Sequence, residues 1–124
     1  MADIMALNSL GFVGGCNYST EEKVVGTWID GKPIYSYTYV ITSDVTISYN
    51  SWSNVFVYSG SIACVIRAEL IRKTTTANEN IYYPLACDIV PNTTTTILCQ
   101  VSAASSVTCK PGSMITLYFT KTTD

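Results

Sequence analysis

A chain of 124 residues is long enough for one domain with a modest core and too short for two. Its charged fraction of 13% is about half the usual quarter, so Ser, Thr, Asn and Tyr must cover much of the surface. The net charge of −2, with Lys and Arg scattered singly, excludes the basic stripe that a nucleic-acid binder needs.

Residues 1–17 form an N-terminal arm by composition. Ile4, Met5, Leu7, Leu10, Phe12 and Val13 alternate there with Gly11, Gly14 and Gly15. The stretch is too apolar for a solvated tail and too broken by glycine for a long helix. It is expected to pack either on a neighbouring subunit or on its own domain. Asp3 stands where a secretion signal carries its basic region, and no run in the chain approaches the roughly 18 apolar residues of a membrane span. Neither export by a signal peptide nor membrane insertion is expected.

Residues 18–124 have the pattern of an antiparallel β-sandwich, jelly-roll-like or immunoglobulin-like. Short runs of β-branched and aromatic residues are separated by turn residues, and helix signals are nearly absent. The first element is a hairpin, 24–29 and 32–40, joined by Asp30-Gly31, a strong two-residue turn signal. That register sets Ile29 opposite Lys32 and Trp28 opposite Pro33, with Tyr35 lying across the bare Gly26 position. Proline then loses no ladder bond. Further strands are predicted at 44–49, 55–58, 62–72, 81–90, 95–101, 107–109 and 114–120. In 62–72, alternation puts Ile62, Cys64, Ile66, Ala68 and Leu70 on a dry face and Ala63, Val65, Arg67, Glu69 and Ile71 on a mixed one. Arg67, Arg72 and Lys73, with Glu69 among them, are expected to form a solvated strand face. Pro84, Pro91 and Pro111 mark edges or turns.

In the region of the third and fourth strands and the loop between them, Tyr49, Trp52, Phe56 and Tyr58 cluster among Ser and Asn. Such aromatic residues make adaptable contacts at low entropic cost and suit sugars, so these four are the candidate ligand-contacting residues. The competing expectation is that Phe56 and Tyr58, two apart, face a core or a subunit interface.

No enzyme is expected. The chain has no histidine, so neither a Ser-His-Asp nor a Cys-His centre can be assembled within it. Asp30 belongs to the turn, and Asp44, Glu69, Glu79 and Asp88 stand isolated, without a motif that would make them a catalytic carboxylate pair. The five cysteines form no CxxC pair, so neither a metal nor another cofactor is expected. Cys64, Cys87 and Cys99 lie in apolar runs, where a thiol behaves as a small hydrophobe, and a Cys99–Cys109 disulfide is the alternative to free thiols.

The string Tyr18-Ser19-Thr20-Glu21-Glu22-Lys23-Val24-Val25-Gly26-Thr27-Trp28-Ile29-Asp30-Gly31-Lys32-Pro33-Ile34-Tyr35 resembles the "YSTEE-VVGTWIDGKP-Y" opening of a module found in virion proteins of tailed bacteriophages and prophages. The ending Ile115-Thr116-Leu117-Tyr118-Phe119-Thr120-Lys121-Thr122-Thr123-Asp124 is similar to the module's closing strand. The two matches bracket nearly the whole chain after Asn17. The middle departs from the pattern, because the module often carries a histidine-containing segment where this chain has 49–58. The resemblance implies a virion structural protein of the tail, a fibre or the head surface, made in the bacterial host cytoplasm. Its implied partners are copies of itself, as a homotrimer, other virion proteins, and a host cell-surface glycan or protein. No catalytic residue comes with the resemblance. The alternative is a head decoration or connector protein that binds no receptor.

Overall fold

A computed structural model of the chain describes residues 19–74, 80–91 and 94–123. The proposed arm, with Ile4, Met5, Leu7, Leu10, Phe12 and Val13, lies outside them. Among the described residues there is no helix, and nine strands follow in order: β1 Lys23–Thr27, β2 Pro33–Val40, β3 Val45–Ile47, β4 Ser53–Tyr58, β5 Ile62–Lys73, β6 Asn80–Pro91, β7 Thr95–Val101, β8 Val107–Cys109 and β9 Met114–Lys121. All pairings are antiparallel. Seven strands make one sheet in the order β1-β2-β9-β5-β6-β7-β4, and β3 pairs with β8 in a second, small sheet.

The large sheet folds over on itself. In a flat sheet with strands about 4.8 Å apart, β2 and β4 would lie roughly 24 Å from each other. Instead Tyr39 of β2 stacks on Phe56 of β4 with ring centroids 4.4 Å apart, and Tyr58 of β4 meets Tyr37 at 5.2 Å and Phe119 of β9 at 5.1 Å, both edge-on. Two facing layers result, β1-β2-β9 with the first half of β5, and the second half of β6 with β7 and β4. The seam is the β5–β6 hairpin. β5 pairs only with β9 before Ala68, and β6 leaves β5 for β7 at Leu85. The molecule is therefore all-β and sandwich-like, its layers continuous through a hairpin.

The core between the layers is built from Ile62, Ala68 and Leu70 of β5, Ile115, Leu117 and Phe119 of β9, Phe56 and Tyr58 of β4, and Ile97, Cys99 and Val101 of β7. Ile47, Val107 and Cys109 of the small sheet extend it. Thr95, fully buried, accepts a hydrogen bond from the Ile62 N–H and donates one to the Gly60 carbonyl, tying the β4–β5 turn to β7. Pro84 sits within β6 opposite Glu69, one residue before the β6–β7 ladder begins at Leu85, so β7 loses no bond to it.

Two expectations about register are corrected. The first hairpin has a three-residue loop: Gly31 N–H bonds the Trp28 carbonyl and Trp28 N–H bonds the Lys32 carbonyl, so Trp28 faces Lys32 and Thr27 faces Pro33. This is a four-residue turn followed by a glycine bulge, in which Gly31 takes a positive φ, 89°. Asp30 contributes through its carboxylate, which accepts the Lys32 N–H at 3.0 Å. Because Trp28 and Lys32 are the hydrogen-bonded pair, Pro33 still loses no bond. Ile34, and not Tyr35, is opposite Gly26, and a bulge at Val25 then pairs Val24 with Tyr35.

The second correction concerns β5. Two bulges, after Ile62 and after Val65, each shift the alternation by one residue. Cys64 is thereby exposed, and Val65 packs toward the core opposite Phe119.

Candidate functional site

Residues 48–53, the β3–β4 connection together with the first residue of β4, form a loop braced by its own hydroxyls. Ser48 Oγ donates to Asn50 Oδ1 at 2.9 Å and accepts from the Asn50 N–H and from Ser51 Oγ. Ser53 Oγ accepts the Ser48 N–H, and the Ser48 carbonyl accepts the Val101 N–H of β7 at 3.0 Å. Short polar side chains compete with the strand ladder for backbone partners, which is why β3 stops at Ile47 and does not run on to Tyr49. Held on this loop, Tyr49 and Trp52 are 45% and 47% exposed.

Phe56 and Tyr58 do not join them. They are 8% and 5% exposed, on the inner face of β4, and form the aromatic bridge between the layers. Their spacing of two puts both on one face of the strand, and that face is the core. The solvent face of β4 carries Val57. Phe56 and Tyr58 are therefore corrected from contact residues to core residues, and Asp30 and Gly31 stand at the tip of the first hairpin.

A second surface feature joins three strands, β5, β6 and β9, on the outer face of the sheet. The Arg67 guanidinium lies over the Tyr118 ring, 4.5 Å from its centroid, and 3.8 Å from the largely buried Glu69 carboxylate. Tyr82 donates its hydroxyl to Glu69 Oε2 at 3.2 Å. Burial raises the Tyr118 phenol above its ordinary value against the opposing pull of Arg67, and burial followed by the Glu69 charge raises Tyr82. Both phenols stay protonated at neutral pH, and Tyr82 is the donor to Glu69. Beside them Val25, Ile34, Ile66, Arg67 and Tyr118 line a shallow depression of about 260 Å³. Arg67 and Glu69 fall on one face by alternation in the sequence, but the tyrosines arrive from β6 and β9 through register alone. Arg72 is turned away from this patch and donates to the Thr108 carbonyl at 2.7 Å.

Among the described residues no group of three or more Cys, Asp or Glu side chains is placed to hold a metal ion. Comparison with protein-family models, with curated proteins and with solved structures finds no match.

Proposed function

We propose that this chain is a structural protein of a bacteriophage virion, a component of the tail, a fibre or the head surface, that assembles as a homotrimer and presents its 48–53 loop to the host cell surface. The observation that carries the reading is the loop itself: two large aromatic rings held half-exposed on a hydroxyl-braced turn are preorganised for contact with a glycan or a protein. The fold also makes physical sense of the sequence resemblance. Its opening segment is the β1–β2 hairpin, its closing segment is β9, and β2 pairs with β9 from Tyr35↔Phe119 to Val40↔Met114. The two resembling ends are thus neighbours in one frame, and the divergent middle supplies the loop.

The reading in which the protein only assembles, as a head decoration or connector, draws on a different observation. Among the described residues both edge strands of the large sheet carry exposed apolar residues, Val24 on β1 with Ile29 in its turn, and Val57 on β4. Open edges of this kind are places where further chains pair.

Antibody labelling of purified particles and adsorption of the recombinant chain to host cells test the proposal together. Label on the particle, with adsorption that Trp52→Ala abolishes, is the expected result. Label without adsorption selects the assembly-only reading, and particles that lack the chain overturn both. Light scattering that shows a stable monomer at micromolar concentration refutes the homotrimer.

A further inference from the structure

We propose that Cys87 and Cys99 form a thiol–disulfide switch across the β6–β7 ladder, open in a thiol-rich compartment and closed by a small-molecule disulfide of the glutathione class. The proposal is independent of the virion reading.

Cys87 and Cys99 are directly opposite each other, and the β6–β7 ladder runs without a bulge from Leu85↔Val101 to Pro91↔Thr95. Both are free thiols. The Val101 N–H is committed to Ser48, on the side away from β6, which makes Leu85↔Val101 a non-hydrogen-bonded pair. With the alternation of an antiparallel ladder, Cys87↔Cys99, two residues further along, is also a non-hydrogen-bonded pair, the class in which Cα atoms approach to about 4.5 Å and side chains lie closest. That separation falls within the range of roughly 4.4–6.8 Å that a disulfide spans. Both side chains are on the core face, with Cys99 fully buried and Cys87 half-buried at its margin. The Cys87 thiol donates to the Asp88 carbonyl at 3.7 Å, and interaction with the neighbouring Cys99 thiol holds Cys87 below its ordinary value and pushes Cys99 up.

The asymmetry sets the order of events. The Cys87 thiolate attacks one sulfur of oxidised glutathione, forming a mixed disulfide and releasing one glutathione thiolate. Capping Cys87 removes the negative charge that opposed ionisation of Cys99. Cys99 then loses its proton to solvent and attacks the Cys87 sulfur, displacing the second glutathione thiolate. The protein gives up two thiol hydrogens and two electrons, and the reagent is reduced to two thiols. Cys109 is buried in the same core, and its charge also opposes ionisation of Cys99, but it lies opposite Val45 on the other sheet and outside the β6–β7 ladder.

The test is to incubate the reduced full-length chain with oxidised glutathione, quench with acid, and map the products by mass spectrometry. Chymotryptic cleavage after Leu98 separates Cys87 from Cys99, so their link appears as a joined pair of peptides that reductant splits. The expected result is a Cys87–Cys99 link, loss of two hydrogens from the chain beyond any glutathione added at the exposed Cys64, and a higher melting temperature that reductant reverses. Cys87→Ala should abolish the link and leave Cys99 reduced, while Cys109→Ala should keep it. If a variant fails to fold, the map of the unaltered chain decides. A link between Cys99 and Cys109, or reduced Cys87 and Cys99 after Cys64 has fully reacted, overturns the proposal.

Discussion

Replacing Phe56 tests whether the two layers are joined as described. Its ring stacks on Tyr39, 4.4 Å between centroids and 5° from parallel, and meets Tyr37 at 6.2 Å. Both tyrosines belong to the opposite layer. Truncation to alanine removes a ring that is 8% exposed, and buried Phe→Ala changes cost about 3–5 kcal/mol from lost transfer energy and the cavity left behind. Against a total stability of about 5–15 kcal/mol for a domain, that is a large fraction, and part of the population should be unfolded at 37 °C. Phe56→Leu keeps most of the buried area and loses the ring geometry. A double-mutant cycle of Phe56→Leu with Tyr39→Leu should therefore return a coupling of about 0.5–1.5 kcal/mol. Urea titrations followed by circular dichroism measure each term. The neighbouring Trp52→Ala, on the exposed loop, should shift stability by no more than about 0.5 kcal/mol. A Phe56→Ala loss below about 1 kcal/mol, no larger than an average surface or core substitution, would place the ring outside the core and refute the folded-over sheet.

Gly31→Val should cost about 1–3 kcal/mol, because a β-branched residue resists the φ of 89° at this bulge, while Gly31→Asn should be nearly neutral; equal melting temperatures for the two variants would contradict the turn geometry. Gly60→Ala should also lower the melting temperature, since a Cβ there would stand 2.7 Å from Tyr58 Cε2 and that ring is pinned by Tyr37 and Phe119. Thr95→Val, nearly isosteric, should cost about 1–3 kcal/mol by leaving the Ile62 N–H and the Gly60 carbonyl without their bridge, and a stability matching the parent in urea would show that water replaces the hydroxyl. Burial pushes the Cys109 thiol up to about 11, so the unfolded chain, with a thiol near about 8.5, releases its proton first as pH rises. Stability should fall through that window and be insensitive to this group below it; urea midpoints at mildly and strongly alkaline pH should diverge less in Cys109→Ala than in the parent, and identical slopes would remove Cys109 as the cause.

Local chemistry made much of this protein legible before any tertiary contact is considered. Strand pattern depends on neighbouring residues, so 95–101 and 107–109 emerge with the bounds that the structure shows, and the others within a few residues. Asp30-Gly31 marks a turn, and Pro111-Gly112 another, closed by the Ser113 N–H on the Lys110 carbonyl. Alternation also places Arg67 beside Glu69, and the Ser-rich setting of Trp52 signals a surface loop, although Tyr49 is expected to end a strand that stops at Ile47. The limit of such inference is a single inserted residue. Each bulge, at Val25 in β1 and after Ile62 and Val65 in β5, reverses which face the following side chains take, and a bulge is decided by the partner strand. Cys64 was consequently expected inside and lies outside. The same limit governs the aromatic cluster, because Phe56 and Tyr58 share a face by spacing, but only the return of β4 over β2 and β9 makes that face the core. Pairing at a distance likewise chose Cys87, not Cys109, as the neighbour of Cys99 and brought Tyr82 and Tyr118 to Glu69 and Arg67. Periodicity tells a strand that it has two sides; the long-range ladder of β9 with β2 and β5, and the seam at β5–β6, determine which side is dry.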